Sequence, residues 1–232
     1  MQRRTVLYVA STAVLGATAG CTAQTDSRSE SPDDKHKATG DPTEEMSLAT
    51  DDLDFEATVL EQRTEHHPAK IQLSVTNRSD ERITLSGGPI LPFTEIKSSH
   101  EGDEPELFLI PDKRDWITPT DGDGNPLDVP LIPSTSDGCW TVEYEGTVRS
   151  QTMRMQELTP DETISREYTL LAEDDDQCFS SGTYEFVDEQ KIRKGEISSD
   201  HDEIPIDLKL EVEIRDDKTI SIGTETNISS EI

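Results

Sequence analysis

The chain has 232 residues, with 50 Asp and Glu against 21 Lys and Arg, a formal net charge of -29, and only 31% hydrophobic and 5% aromatic residues. Phosphate backbones would be repelled by such a chain, so nucleic acid is excluded as a partner. The longest apolar run, Tyr8 to Ala19, is well short of the roughly 18 to 20 residues a helix needs to cross a bilayer, which argues against a permanent span.

The chain opens with Arg3 and Arg4, followed by Thr5-Val6-Leu7, an uncharged apolar run and Thr18-Ala19-Gly20-Cys21. This is a charged region, a short hydrophobic region and a small-residue cleavage site, the layout of an export address. The paired arginines resemble a twin-arginine export signal, and the small residues before Cys21 resemble the lipobox of secreted lipoproteins, although Thr18 stands where many lipoboxes carry Leu. The resemblance implies that residues 1–20 are a signal peptide and that Cys21 becomes a lipid-modified N-terminus. The membrane is then a partner through the anchor, with the protein on its external face. Each buried lipid methylene contributes about 0.8 kcal/mol of membrane affinity. Without Arg3 and Arg4 the mature chain has 50 acids against 19 bases, or -31.

Residues 21–51 are rich in Ser, Thr, Asp, Glu, Lys and Pro and have no apolar periodicity. They are expected to be a disordered acidic linker that holds the folded part off the membrane. His36 falls inside it as a solvated residue.

From residue 52 to 223 the pattern is one of strands and turns. Strands are expected over Leu53 to Glu61, Lys70 to Asn77, Arg82 to Ser86, Glu106 to Ile110, Cys139 to Glu145, Thr152 to Leu158, Ile164 to Leu171, Thr183 to Val187, Ile206 to Ile214 and Thr219 to Ile222. Many short alternating strands without helical spacing predict an all-β sandwich. The polar corner at Leu158-Thr159-Pro160-Asp161-Glu162 and the strand entry at Gly182-Thr183-Tyr184-Glu185-Phe186 resemble immunoglobulin-like extracellular modules. The expected fold is therefore an immunoglobulin-like β-sandwich, with Ser98 to Gly138 as a long loop insertion and residues 224–232 as a disordered tail.

Acids recur between apolar residues, as in Asp207-Leu208-Lys209-Leu210-Glu211-Val212-Glu213-Ile214, so alternation places carboxylates on one face and aliphatics on the other. A folded acidic shell is expected. Such a shell repels itself in dilute buffer and is screened at molar salt, where the Debye length is about 3 Å. With the export signal, this composition resembles the surface lipoproteins of halophilic archaea.

Once Cys21 is assigned to the anchor, Cys139 and Cys178 remain. In an oxidising exterior they are expected to form a disulfide, since they have neither CxxC spacing nor an adjacent His for zinc. Asp121-Gly122-Asp123-Gly124-Asn125 has oxygen ligands at alternate positions but Pro126 where a calcium loop needs Gly, and it reads as a hairpin turn without an ion. The acidic runs Glu173 to Asp176 and Asp200 to Glu203 read as solvated loops, and His66, His67 and His100 have no identifiable partner. Asn77 and Asn227 begin glycosylation sequons, with Asn77 expected to be exposed at a turn.

No nucleophile elbow, P-loop or zinc-binding His pair is present. The expectation is a noncatalytic binding or cell-envelope module without cofactor or metal. The alternative is a protease-inhibitor-like or solute-binding domain whose long loops present Phe108 and Trp116. A less favoured reading is an acidic hydrolase, which would need two convergent carboxylates in a cleft.

Overall fold

The structure is a computed structural model that describes residues 48–99, 106–136, 138–173, 178–198 and 202–228. The expected signal peptide, Cys21, nearly all of the expected linker, His36, His100, Asp174 to Asp176, Asp200 and His201 lie outside the described residues. The described residues belong to one compact unit, Met46–Ile232.

Eleven strands form: β1 (Leu53–Glu61), β2 (Ala69–Asn77), β3 (Ile83–Gly87), β4 (Leu107–Pro111), β5 (Ile117–Thr120), β6 (Gly146–Arg149), β7 (Arg154–Leu158), β8 (Thr163–Ala172), β9 (Gly182–Lys194), β10 (Ile204–Ile214) and β11 (Ile220–Ile228). Among the described residues there is no α-helix, only a 3-10 turn at Thr50–Asp52. One sheet has the order β1-β2-β8-β4, a second the order β11-β10-β9-β3-β7, and β5-β6 makes a small third ladder. All named pairs are antiparallel.

Period-two alternation builds the core. Ala69, Ile71, Leu73 and Val75 of β2 are buried, as are Ile206, Leu208, Leu210, Val212 and Ile214 of β10, and both sets belong to one hydrophobic cluster. Each fully buried Val, Leu or Ile among them contributes roughly 1.5 to 3 kcal/mol before chain entropy is subtracted. Gln62, just past β1, exchanges hydrogen bonds with the main chain of Ile220 and so ties the margins of the two sheets together. The acids lie outside the core: among the described residues, Asp188 is the sole buried carboxylate.

Several expectations need correction. The Cys139 to Glu145 strand is reduced to a single parallel bridge, Thr141 to Ala172. Its alternation is real, with Trp140, Val142 and Tyr144 buried, but the segment runs beside only the last residue of β8. The expected loop insertion is built into the sandwich, because it supplies β4, an edge strand buried along its whole length, and Phe108 is core rather than a contact surface. Leu48, assigned to the linker, is buried in the cluster. The domain boundary at residue 223 falls inside β11, which pairs with β10 as far as Ile228. Polar residues Thr224 to Asn227 disguise that stretch because an edge strand leaves much of its surface in water. The β5-β6 ladder was not anticipated, since Pro119 and Gly146 weaken the strand pattern of both segments.

Candidate functional site

Two clefts lie side by side where the segment between β3 and β7 meets the sandwich, with Pro89 lining both. The larger, about 690 Å³, is a notch in the five-stranded sheet. Its cause is a mismatch of strand lengths: β3 stops at Gly87 and pairs with β9 only over Lys191 to Lys194, whereas β9 runs on along β10 to Gly182. Val187 to Gln190 thus lack a strand neighbour on that side among the described strands. The chain turns away tightly at Gly88, where an added Cβ would lie 2.5 Å from Thr94 Cγ2.

The floor of the notch is polar. Asp188 and Gln190 occupy inward positions of β9 and are buried. Asp188 Oδ2 accepts from the Thr94 main-chain N–H and from Gln190 Nε2, which also donates to Pro92 O. Burial pushes the Asp188 carboxyl up to about 6, against the opposing pull of its Gln190 and Thr94 hydrogen bonds. Glu95 also lines the notch, but its Oε1 accepts from the Ile96 and Lys97 amides and its Oε2 faces Arg149 Nη2 at 3.4 Å. Arg149 in turn donates to Thr94 O. These two carboxylates hold the 94–97 segment against the sheet, with oxygens directed at protein donors. Glu189 is on the opposite, outward face of β9.

The second cleft, about 250 Å³, opens between the layers beside β7. Lys113, Trp116, Arg154 and Arg166 line it together with Ile164 and Met155, and no carboxylate is among its lining residues. Arg154 lies over the Trp116 ring, 4.5 Å from its centroid. Arg166 donates to Leu91 O and pairs with Asp112 at the margin. Lys113 and Arg154 form no ion pair among the described residues. Sequence reasoning missed this groove because its members are scattered over more than fifty positions; Trp116 was its one visible signal.

The other expected residues are placed as follows. Cys139 and Cys178 form a disulfide with Cα atoms 5.6 Å apart. Around it, Arg63 donates to Gly138 O and lies over the Phe179 ring, and Trp140 Nε1 donates to Thr64 O. The Asp121 carboxylate accepts from the Asp123 and Asn125 amides and from Asn125 Nδ2, bonds that lower its pKa, so its oxygens serve the turn itself. His66 and His67 donate their amides to Thr64 Oγ1 in the β1-β2 turn. No group of three or more metal-ligating side chains occurs among the described residues.

Asn77 is a correction. It is fully buried rather than exposed, its Nδ2 donates to Glu81 O and Leu158 O, and its Oδ1 accepts from Ser79 N and Oγ. The amide that would carry a sugar instead closes the corner between β2, β3 and β7, so the folded domain does not present it. Asn227 is exposed on β11. Comparison with protein-family models, curated proteins and solved structures finds no match to this chain.

Proposed function

We propose that this chain is a noncatalytic, lipid-anchored surface lipoprotein of a salt-adapted cell, exported by the twin-arginine route, whose immunoglobulin-like β-sandwich is held out to bind a partner. The groove lined by Lys113, Trp116, Arg154 and Arg166 carries the binding part of this reading: it is a cationic, aromatic recess on a chain of net charge -29.

The fold part rests on strand order. Setting β4 and β11 aside, β1-β2-β8 against β10-β9-β3-β7 follows the A-B-E and G-F-C-C′ arrangement of immunoglobulin-like Greek keys. Tyr184, at the start of β9, donates its hydroxyl to Ser180 O at 3.0 Å, as a tyrosine corner does. The Cys139–Cys178 bond departs from that pattern, because it does not join the β2 and β9 positions.

The acidic hydrolase has one observation in its favour, the raised carboxyl of Asp188 in a cleft that Glu95 also lines. The inward position of Asp188 and the Arg149 partner of Glu95 favour the noncatalytic reading.

Membrane attachment is tested by fractionation. Cys21→Ser is expected to move the protein from the membrane pellet to the soluble fraction, and retention of the whole population after a high-salt wash would place the anchor elsewhere. Salt adaptation is tested by circular dichroism of the purified chain. The melting temperature is expected to rise from about 0.1 M sodium chloride, where the Debye length is about 10 Å, to molar salt, where it is about 3 Å. A flat response would mean that the acidic surface is no adaptation to brine.

A further inference from the structure

We infer that the free edge of β7 and the groove beside it dock an extended acidic polypeptide, which adds as a strand to the five-stranded sheet. This rests on the reading of the chain as a binding module and names the class of its partner.

Three observations converge on β7. It ends its sheet, so among the described strands its outer edge has no neighbour, and its main-chain groups there can pair with an added strand. Its residues alternate: Arg154, Gln156 and the buried Leu158 share one side of the strand, Met155 and, just before the strand, Met153 the other, and Arg154, Met155 and Gln156 all border the groove. Finally, the groove beside it has no carboxylate in its lining, and exposed apolar side chains gather around the strand, with the half-buried Glu157 on its outer side held by Arg82. Trp116, Val148, Met153, Met155 and Val187 are five of the seven exposed large hydrophobic residues, and each lines one of the two clefts or lies on β6 just before β7.

Charge selects the occupant. Residues 146 to 156 hold Arg149 and Arg154 and no acid, in a chain where 50 of 232 residues are acidic. Acid-free stretches in β2 and β3 belong to strands that are almost wholly buried, but this one is largely exposed. An incoming strand with acids at alternate positions would meet Lys113 and Arg154 in the groove and place its intervening apolar side chains against Met153 and Met155. A second copy docking β7 against β7 about a two-fold axis would instead oppose Lys113 and Arg154 to their own counterparts, and like charges there repel.

The test uses the full chain in detergent, in the lowest salt at which it stays folded, with a blocked (Glu-Val)5 peptide as the probe and (Lys-Val)5 as the control. Calorimetry is expected to register binding of the Glu peptide alone, and hydrogen exchange to register new protection of the β7 amides. Lys113→Glu combined with Arg154→Glu alters two exposed side chains and is expected to weaken binding at least about tenfold. Trp116→Ala should weaken it independently. Equal binding of both peptides, protection away from β7, no binding at all, or affinity indifferent to the double reversal would each overturn the assignment. Formation of a dimer through β7 without peptide would overturn it in favour of a second copy. The measurement does not depend on the anchor, so failure here with Cys21→Ser release intact removes the groove assignment and leaves the surface-module reading standing.

Discussion

Replacing both Cys139 and Cys178 with serine is expected to lower the unfolding free energy by about 4 kcal/mol, because the bond closes a loop of 39 residues and chain entropy scales with the logarithm of that length. For a domain of this size that corresponds to a fall in melting temperature of roughly 10 °C. The surroundings add a second reason. Arg63, Trp140 and Phe179 meet around the bond, so it fastens the segment after Gly138 and the entry to β9 to the β1-β2 turn. Loss of the bond frees two connections at once. Urea unfolding of oxidised wild type and the double variant measures the effect, and the slope with denaturant is expected to rise in the variant as its unfolded chain expands. Coincident unfolding curves would mean that the bond contributes nothing. Two thiols labelled per unfolded oxidised chain, beyond Cys21, would mean that it does not form.

Alternation made the sheets legible in the sequence. The span of β1 matches its expected bounds, and β2, β8 and β10 differ by one or two residues, because their apolar positions repeat every second residue. β9 was read as far shorter than it is, since Asp188 and Gln190 put polar residues where the inward face should be apolar. That same break marks the floor of the notch. Local polarity also misled at Asn77, whose four hydrogen bonds come from turns distant in sequence or lying just beyond it, so a residue typical of exposed turns became a buried corner brace. The cationic groove was illegible for a different reason. Lys113, Arg154 and Arg166 are individually ordinary, and only the return of β8 beside the inserted segment brings them to one recess.

The pH dependence of stability is expected to carry a distinct contribution from Asp188. Its folded carboxyl titrates near 6 against an ordinary 3.8, the difference being set first by burial. Between these values the folded chain holds a proton that the unfolded chain has released, so stability falls as pH rises through this window. At about 1.4 kcal/mol per pH unit the loss amounts to about 3 kcal/mol, complete above roughly pH 7. Asp121, Glu162 and Asp217 are shifted the other way by hydrogen bonds, but they are exposed and common to any variant, so comparison with Asp188→Asn isolates the buried group. The new amide oxygen can accept from Thr94 N and Gln190 Nε2 as the carboxylate does, and Gln190 Oε1, on the same neighbouring side chain, is a buried acceptor without a partner in the wild type. Asp188→Asn is therefore expected to match the wild type near pH 4 and to exceed it by about 3 kcal/mol near pH 8. Glu95 and Arg149, the charges facing Asp188, oppose one another and leave burial in control. Denaturant unfolding of both proteins across this range at one high salt concentration measures the difference. Parallel stability profiles would show that Asp188 titrates as an ordinary carboxylate and that the notch floor is open to water.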